Sequence, residues 1–199
     1  RIIGMISHFS TSDEADSSYT DKQLSLFNDF YEELAGCGIS LPMLSIANSA
    51  AIMDYPRTHF DAVRPGIIMY GCYPSDEVEK SRLDLEPVMS VKAYIVHLKT
   101  VPAGTAISYG RRFITERESK IATISIGYAD GYARTLTGKA EVLVNGHRVP
   151  VVGSICMDQC MIDVTDVPEV RAGDEVVIMG RSGDDEIPAE ELADKIGTI

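Results

Sequence analysis

The chain lacks long hydrophobic runs: no stretch approaches the roughly 20 apolar residues that a transmembrane helix needs. It is also poor in positive charge, because 18 Lys and Arg stand against 30 Asp and Glu, for a formal net charge of −12. This balance argues against nucleic acid and membrane as partners. The four cysteines fit neither a disulfide framework nor a redox or zinc motif, so we expect reduced thiols in a cytoplasmic protein. They are Cys37, Cys72, Cys156 and Cys160.

Common motifs of nucleotide-binding and hydrolytic enzymes are missing as well. The chain has no G-x-S-x-G elbow, no P-loop and no G-x-G-x-x-G. Its histidines and carboxylates show no metal-ligand spacing, so we assign no metal. We interpret His59, His97 and His147 as structural. The remaining histidine, His8, is considered below.

The first part of the chain alternates strand-like and helix-like segments. We expect a buried strand over residues 2–7 and a helix over 21–35, begun by a capping box of Thr20 and Gln23. A helical stripe, a second strand "LPMLSIA", a short helix opening at Asn48 and a third strand-like run "DAVRPGIIMYG" follow. This rhythm predicts βα units around a parallel sheet. The stripe consists of Leu24, Phe27, Tyr31 and Leu34.

The pattern changes near Leu85 to β-branched alternation with many short strands. "NG" at 145–146 predicts a hairpin turn, and "PAEELADKI" a late helix with Pro188 in its first turn. We therefore expect an α/β domain over residues 1–84 and a mostly β domain over 85–199. Because the chain starts and stops abruptly at apparent core elements, we expect it to be a fragment of a longer protein.

Three residues of the first part are candidates for binding a ligand. Ser49 opens a helix, and Gly66 lies at a strand end where backbone N–H groups suit a phosphate. Each is also explained as an ordinary helix-cap neighbour or strand breaker. His8 directly follows its strand, where a barrel places its active-site face, or else it caps a backbone carbonyl.

Two segments of the second part carry unusual polar residues. In "ISYGRR", residues 107–112, Tyr109 is either a surface tyrosine at a turn or a proton carrier. Only about one phenol in a thousand is ionised at pH 7, which favours the surface reading when the residue is considered alone. In "VVGSICMDQCMIDVTD", Asp158 and Gln159 interrupt a strand-like alternation next to Met157, as a β-bulge would.

Taken together, the motifs resemble one family. "SHFSTSDEAD", "ANSAA", "VRPGIIMYG", "ISYG", "IGYADGYAR" and "CMDQ" follow the order and approximate spacing of bacterial alanine racemase. The resemblance extends over essentially the whole chain and corresponds to the C-terminal half of that enzyme. It implies a pyridoxal 5'-phosphate (PLP) (β/α)8 TIM barrel followed by a β domain, a head-to-tail homodimer, and interconversion of L- and D-alanine that supplies D-alanine for peptidoglycan.

The resemblance assigns the cofactor site residue by residue. Ser49 and the backbone N–H groups of Gly66 and Ile67 match the positions that hold the PLP phosphate. Arg64 matches the arginine that faces the pyridine nitrogen, where a permanent cation keeps the nitrogen from taking a proton. His8 matches the histidine beside the cofactor ring, in a network with the catalytic tyrosine.

The second part supplies the remaining positions. Tyr109 matches the tyrosine that reaches the other subunit's active site and exchanges a proton on one face of the substrate Cα, while a lysine works on the opposite face. Met157 matches the residue whose backbone N–H binds the substrate carboxylate. Tyr128, Arg134 and Asp158 match residues of, or near, the substrate access corridor.

The sequence departs from the family at three points. The PLP-binding lysine belongs near the start of the family's chain and has no counterpart here, so we expect the 199 residues alone to be inactive. Ser45 stands where a second histidine is common, and Ser154 where a corridor arginine is usual. A serine or broad-specificity racemase and a non-catalytic dimerisation fragment remain as alternatives.

Overall fold

The protein, described over residues 2–198 by a computed structural model, divides into two compact units, residues 1–88 and 89–199. No helix in that described stretch has the length and hydropathy to cross a bilayer. The two units are taken in turn.

The N-terminal unit contains a short parallel strand pair with one long helix in the intervening chain. Residues Met5 and Ile6 pair with Leu44 and Ser45. A cluster of apolar side chains from the long helix, the second strand and its flanking residues, together with the buried Phe9, forms a core. Three 3₁₀ turns complete the unit. The elements are β1 (Met5–Ile6), α1 (Ser18–Gly36), β2 (Leu44–Ser45), α2 (Ser49–Asp54) and the turns Pro56–Thr58, Ile67–Tyr70 and Lys80–Arg82.

Helix α1 confirms the predicted stripe and corrects its predicted start. Phe27 is buried, and the other three members of the stripe pack against the same core. The helix begins at Ser18, so Thr20 lies inside it and forms no capping box. Gln23 instead donates its amide to the His8 carbonyl (3.0 Å) and accepts from the Ser10 N–H (3.0 Å). The Gln23 side chain therefore makes tertiary hydrogen bonds to the His8 segment instead of the local bond of a capping box.

All three predicted strands of this unit are wrong or much shorter than expected. Of "LPMLSIA", residues 41–47, only Leu44–Ser45 is a strand. Within residues 2–7 only Met5–Ile6 is a strand, and Ile2, Ile3 and Ile6 are each more than 60% exposed. The run "DAVRPGIIMYG" forms no strand; it ends in the 3₁₀ turn Ile67–Tyr70. Pro65 has no N–H to donate to a ladder, and only Ile68 of that turn is buried. These strands were predicted from apolar composition, which does not by itself distinguish a strand from other structure.

The C-terminal unit is built on antiparallel sheet. Six strands pair in the cyclic order β10-β3-β6-β9-β8-β7-β10, so the sheet closes on itself, and β11 extends it beside β10. Its interior is a large apolar cluster of mostly β-branched residues. The elements are β3 (Val91–Val101), β4 (Ala106–Ile107), β5 (Phe113–Ile114), β6 (Ser119–Ile124), β7 (Glu141–Val144), β8 (His147–Val152), β9 (Cys160–Asp163), β10 (Glu175–Ser182), β11 (Asp185–Ile187) and α3 (Ala189–Ile196).

The predicted turn and the predicted late helix are confirmed, whereas the expected bulge is a loop. Asn145 (φ 50°) and Gly146 (φ 77°) connect β7 to β8 with the two positive φ angles of a type I′ turn. Helix α3 follows Pro188. The segment around Asp158 and Gln159 lies between β8 and β9 as a connecting loop, residues 153–159, rather than as a bulge within one strand.

An ion cluster joins α3 to the sheet. Arg148 donates to Asp185 (3.1 and 3.2 Å) and to Glu191 (2.8 and 3.0 Å), and Lys195 donates to Glu191 at 2.7 Å. The hydrogen bonds from Arg148 hold the pKa of Asp185 below its usual value. Burial alone would raise the pKa of Glu191, but the hydrogen bonds from Lys195 and Arg148 outweigh burial and lower it.

Candidate active site

Arg64 is the centre of a polar cluster at the carboxyl ends of β1 and β2. Its Nε donates to the Ser45 hydroxyl (3.2 Å), and its Nη1 lies 3.3 Å from His8 Nδ1. Its Nη2 donates to the carbonyl oxygens of Ser7 and of Ile46, the latter at 3.2 Å. The guanidinium is therefore held on two edges by backbone and side-chain acceptors, and its direction is fixed.

Two features of the fold bring these groups together. The chain reaches His8 two residues after β1 and leaves β2 at Ser45, and parallel strands place such ends at the same edge. The backbone N–H of Arg64 donates to the Ala47 carbonyl at 3.0 Å, which lays the arginine segment alongside the end of β2. His8, Ser45 and Arg64, distant in sequence, thus form one cluster.

Ser49, Gly66 and Ile67 are also brought together. The Gly66 N–H donates to Ser49 Oγ at 2.8 Å, and Ile67 begins the 3₁₀ turn that follows. Ser49 is the first residue of α2 and is 7% exposed; the Asn48 side chain caps this helix through the Ala51 N–H (3.1 Å). A Cβ at Gly66 would meet only Ser49 Oγ, at 3.5 Å. The glycine is therefore loosely surrounded, with the hydroxyl as its one neighbour within 4 Å of that position.

In the C-terminal unit, Tyr109 lies on an exposed turn between β4 and β5. Its side chain is 75% exposed, and it opens the 3₁₀ turn Tyr109–Arg111. Three neighbours adopt positive φ: Ser108 (63°), Gly110 (72°) and Arg111 (49°). The phenol is thus solvent-exposed on a tightly bent loop.

Two further loops carry Tyr128 and Met157 and are joined to each other. The Tyr128 N–H donates to the Cys156 carbonyl (3.0 Å), and the Ala129 N–H donates to the Met157 carbonyl (2.8 Å). A Cβ at Gly127 would overlap these carbonyls, lying 2.5 Å from Met157 C, so the close approach requires glycine. Tyr128 (41%) and Met157 (58%) are exposed.

A cleft of about 370 Å³ adjoins these loops and contains Arg134. Tyr128 and Asp158 are exposed and are not part of its lining, so of the three expected corridor residues only Arg134 lies in this cleft. Arg112 is in the lining and was missed by the sequence analysis, although it belongs to the quoted "ISYGRR". Two guanidiniums make the cleft favourable for anions. The lining residues are Arg112, Arg134, Thr135, Thr137 and Ser154.

Two buried titratable groups of this unit, Cys160 and Tyr132, are unsuited to proton transfer at neutral pH. Burial, and then the neighbouring Cys156, raises the pKa of the Cys160 thiol to about 12. Burial also raises the pKa of Tyr132 far above that of a free phenol. Among residues 2–198, no group of three or more His, Cys, Asp and Glu side chains could hold a metal ion.

Comparison with known proteins gives one family throughout. The family model described as "Alanine racemase, N-terminal domain" matches residues 1–74, and "Alanine racemase, C-terminal domain" matches residues 88–199. "Alanine racemase 1" of Clostridium acetobutylicum is 57% identical over 198 residues, which cover 100% of this chain and 51% of the relative. Alanine racemase of Clostridium novyi is 53% identical, covering 100% and 52%. The chain thus spans about half the length of these relatives.

Solved structures agree with the sequence relatives. Alanine racemase of Clostridium difficile 630, in complex with cycloserine, superposes with a TM-score of 0.94 at 42% identity and covers 100% of this chain and 52% of that chain. The Bacillus anthracis alanine racemase with bound L-Ala-P gives a TM-score of 0.94 at 44% identity, covering 100% and 51%.

Proposed function

The chain belongs to the alanine racemase family, and from this we propose that it is the C-terminal portion of a PLP-dependent alanine racemase. The reaction is the interconversion of L- and D-alanine by two proton-exchanging groups on opposite faces of the substrate Cα. The observation that carries the proposal is the cluster in which Arg64, anchored by Ser45 and two carbonyls, meets His8 beside the Ser49–Gly66 pair.

We assign residues 1–84 to the C-terminal part of the (β/α)8 barrel and residues 85–199 to the β domain. The parallel pairing of β1 with β2, each followed by a helix, supports the first assignment. The closed antiparallel sheet supports the second. Cysteines that are all free suit the cytoplasm as the location of the enzyme.

The N-terminal unit fits the phosphate of PLP. Ser49 Oγ accepts from the Gly66 N–H and keeps its own proton to donate, and Ile67 begins the turn that follows. A phosphate oxygen would replace Ser49 Oγ as the acceptor of the Gly66 N–H. Successive N–H groups at such a turn favour an anion. When bound, PLP supplies the electron sink that makes the α-hydrogen of an amino acid removable.

Arg64 and His8 set the electrostatics of this site. An arginine remains charged at any physiological pH, so the guanidinium keeps a proton off a pyridine nitrogen that it faces. Its acceptors, Ser45 Oγ and the backbone carbonyls, prevent it from turning away. With Ser45 in place of the family's second histidine, that support comes from a hydroxyl that does not titrate near neutrality.

Tyr109 exchanges the proton on one face of the substrate, in the active site of the partner subunit of a homodimer. Its 75% exposure and its position on a projecting loop support a role across a subunit interface. We place the Met157 N–H at the substrate carboxylate, and Tyr128, Arg134 and Asp158 along the access corridor. The hydrogen bonds between the Tyr128 and Met157 loops support a shared surface for these roles.

The test is Tyr109→Phe in the complete racemase. Racemisation should fall roughly 10²- to 10⁴-fold, the usual contribution of general acid–base catalysis. By the family's assignment, L-alanine should lose α-hydrogen exchange in D₂O while D-alanine retains it, both followed by proton NMR. The PLP content, measured by absorbance, should be unchanged. Tyr94→Phe is the control, because Tyr94 is also exposed (54%) but lies on β3.

The other outcomes decide between the alternatives. Equal loss of exchange for both enantiomers would make Tyr109 structural. An unsubstituted protein that exchanges neither enantiomer would favour a non-catalytic dimerisation role. Comparable kcat/KM for serine and alanine would favour a broad-specificity racemase.

A further inference from the structure

The backbone of Ser108, directly before Tyr109, has a conformation that is rare for a residue with a side chain. Its φ of 63° and ψ of −178° fall in a region that is essentially restricted to glycine. Such a conformation persists only where surrounding contacts enforce it. The contacts that enforce it therefore also determine where the Tyr109 side chain begins.

These contacts are two hydrogen bonds that the side chains of Ser108 and Ser154 donate to backbone carbonyls on opposite sides of the contact. Ser108 Oγ donates to the Ser154 carbonyl at 2.7 Å, and Ser154 Oγ donates to the Tyr109 carbonyl at 2.8 Å. Ser154 is 4% exposed, so water competes little for these bonds. Both bonds link the loop before β9 to the Tyr109 loop. We call Ser108 and Ser154 the serine clamp.

The backbone around the serine clamp is closely packed at Gly153. A Cβ at Gly153 would lie 2.7 Å from Ser108 Cβ and 2.8 Å from the Ile107 carbonyl oxygen, so the two backbones touch at the glycine. Cys156, next to Met157 in the loop of residues 153–159, has its Sγ 3.6 Å from Ser108 Oγ. The serine clamp thus holds Tyr109 and the Met157 loop in one rigid arrangement.

We propose that Ser154 and Ser108 are positioning residues for proton exchange by Tyr109. This rests on the proposed function, because it needs Tyr109 to be the exchanging group. A corridor arginine is usual at position 154; here a buried serine fixes the carbonyl of the tyrosine itself. Since displacement of a reacting group by about 1 Å costs on the order of 10²-fold, loss of the clamp acts on Tyr109 without touching substrate or PLP.

The experiment compares Ser154→Ala with Ser119→Ala in the complete racemase. Ser119 is 2% exposed and donates to the Arg117 carbonyl at 3.1 Å, so it matches Ser154 in burial and in bond type but lies at the start of β6. We expect similar losses of Tm in both variants. Only Ser154→Ala should slow L-alanine α-hydrogen exchange, about 10- to 100-fold, with D-alanine exchange and PLP content unchanged.

Ser108→Gly is the second variant, chosen because glycine tolerates the observed φ and ψ. It relieves the strain and removes one bond of the clamp, so the Tm should be maintained or raised while L-alanine exchange falls. A merely structural serine would change stability and activity together. Equal effects on both enantiomers, or L-alanine exchange no slower than in Ser119→Ala, would overturn the proposal. Absence of exchange in the unsubstituted enzyme would overturn the proposed function and the role of the clamp with it.

Discussion

Gly153→Ala is the substitution for which the structure gives the sharpest expected cost. Gly153 has φ 71°, and an alanine at positive φ costs about 1–2 kcal/mol. The added Cβ would also lie 2.7 Å from Ser108 Cβ and 2.8 Å from the Ile107 carbonyl oxygen. Neither neighbour is the free end of a flexible side chain, so the loop before Tyr109 must shift.

The steric part can be separated from the conformational part. Overpacking a closed contact costs about 1–3 kcal/mol, which brings the expected total to about 2–4 kcal/mol after the smaller gain from a stiffer unfolded chain. Gly138→Ala is the matched control, because Gly138 has φ 70° and nothing lies within 4 Å of its added Cβ. It should cost only the conformational part, about 1 kcal/mol.

Calorimetric unfolding and α-hydrogen exchange provide the assay. Gly153→Ala should lower the Tm more than Gly138→Ala does. In the complete racemase of the proposed function, it alone should slow exchange of L-alanine. Equal losses of Tm in the two variants would show that the contact with Ser108 is loose. A large loss of stability with unchanged L-alanine exchange would refute the link between this contact and Tyr109.

Three further expectations concern stability and reactivity. Thr20→Val should stabilise the protein by about 1 kcal/mol, because the Thr20 hydroxyl is buried without a hydrogen-bond partner. Thr58→Val should destabilise it, because it removes a 2.8 Å hydrogen bond to the Tyr55 carbonyl. Urea unfolding of both variants measures the two changes. Arg148→Met should lower the Tm at pH 7 by about 4 °C or more. It should also flatten the loss of stability below about pH 4, since carboxylates with lowered pKa values stabilise above their unfolded-state pKa and cease to do so as they protonate. Arg117→Met, in an exposed pair, should change neither the Tm nor its pH dependence. Iodoacetamide at pH 8 should leave Cys160 unlabelled until the protein is unfolded, and mass spectrometry showing modification of the native protein would contradict its burial.

The features that were predicted correctly from the sequence are those that depend on neighbouring residues alone. The apolar stripe of α1, with its 3.6-residue period, and the "NG" turn were both predicted and are both confirmed. The predicted capping box at the start of α1 was wrong, because the Gln23 side chain donates to the His8 carbonyl instead of bonding within its own helix. The exposed isoleucines of residues 2–7 show a related limit: hydropathy indicates that a side chain favours burial, not what covers it.

The residues of the candidate site could be proposed from the sequence, whereas the hydrogen bonds that hold them could not. His8 and Ser49 were candidates from their positions and Arg64 from the family resemblance; the structure places Arg64 3.3 Å from His8, and Gly66 2.8 Å from Ser49. The carbonyls that anchor Arg64 leave no trace in sequence, because every residue has one. The conformation of Ser108 is equally hidden: a serine before a tyrosine gives no indication of φ 63°.

Closure of the six-stranded sheet has a consequence for synthesis on the ribosome. The strand that completes it, Glu175–Ser182, pairs with Val91–Val101 on one side and with Glu141–Val144 on the other. At about 5–20 residues per second, roughly 5–18 s separate the emergence of Val91 from that of Ser182. During that interval the edge of Val91–Val101, and later also that of Glu141–Val144, has no partner and is open to pairing with other nascent chains. A ribosome that stalls before residue 175 therefore presents an aggregation-prone chain whose sheet lacks its closing strand.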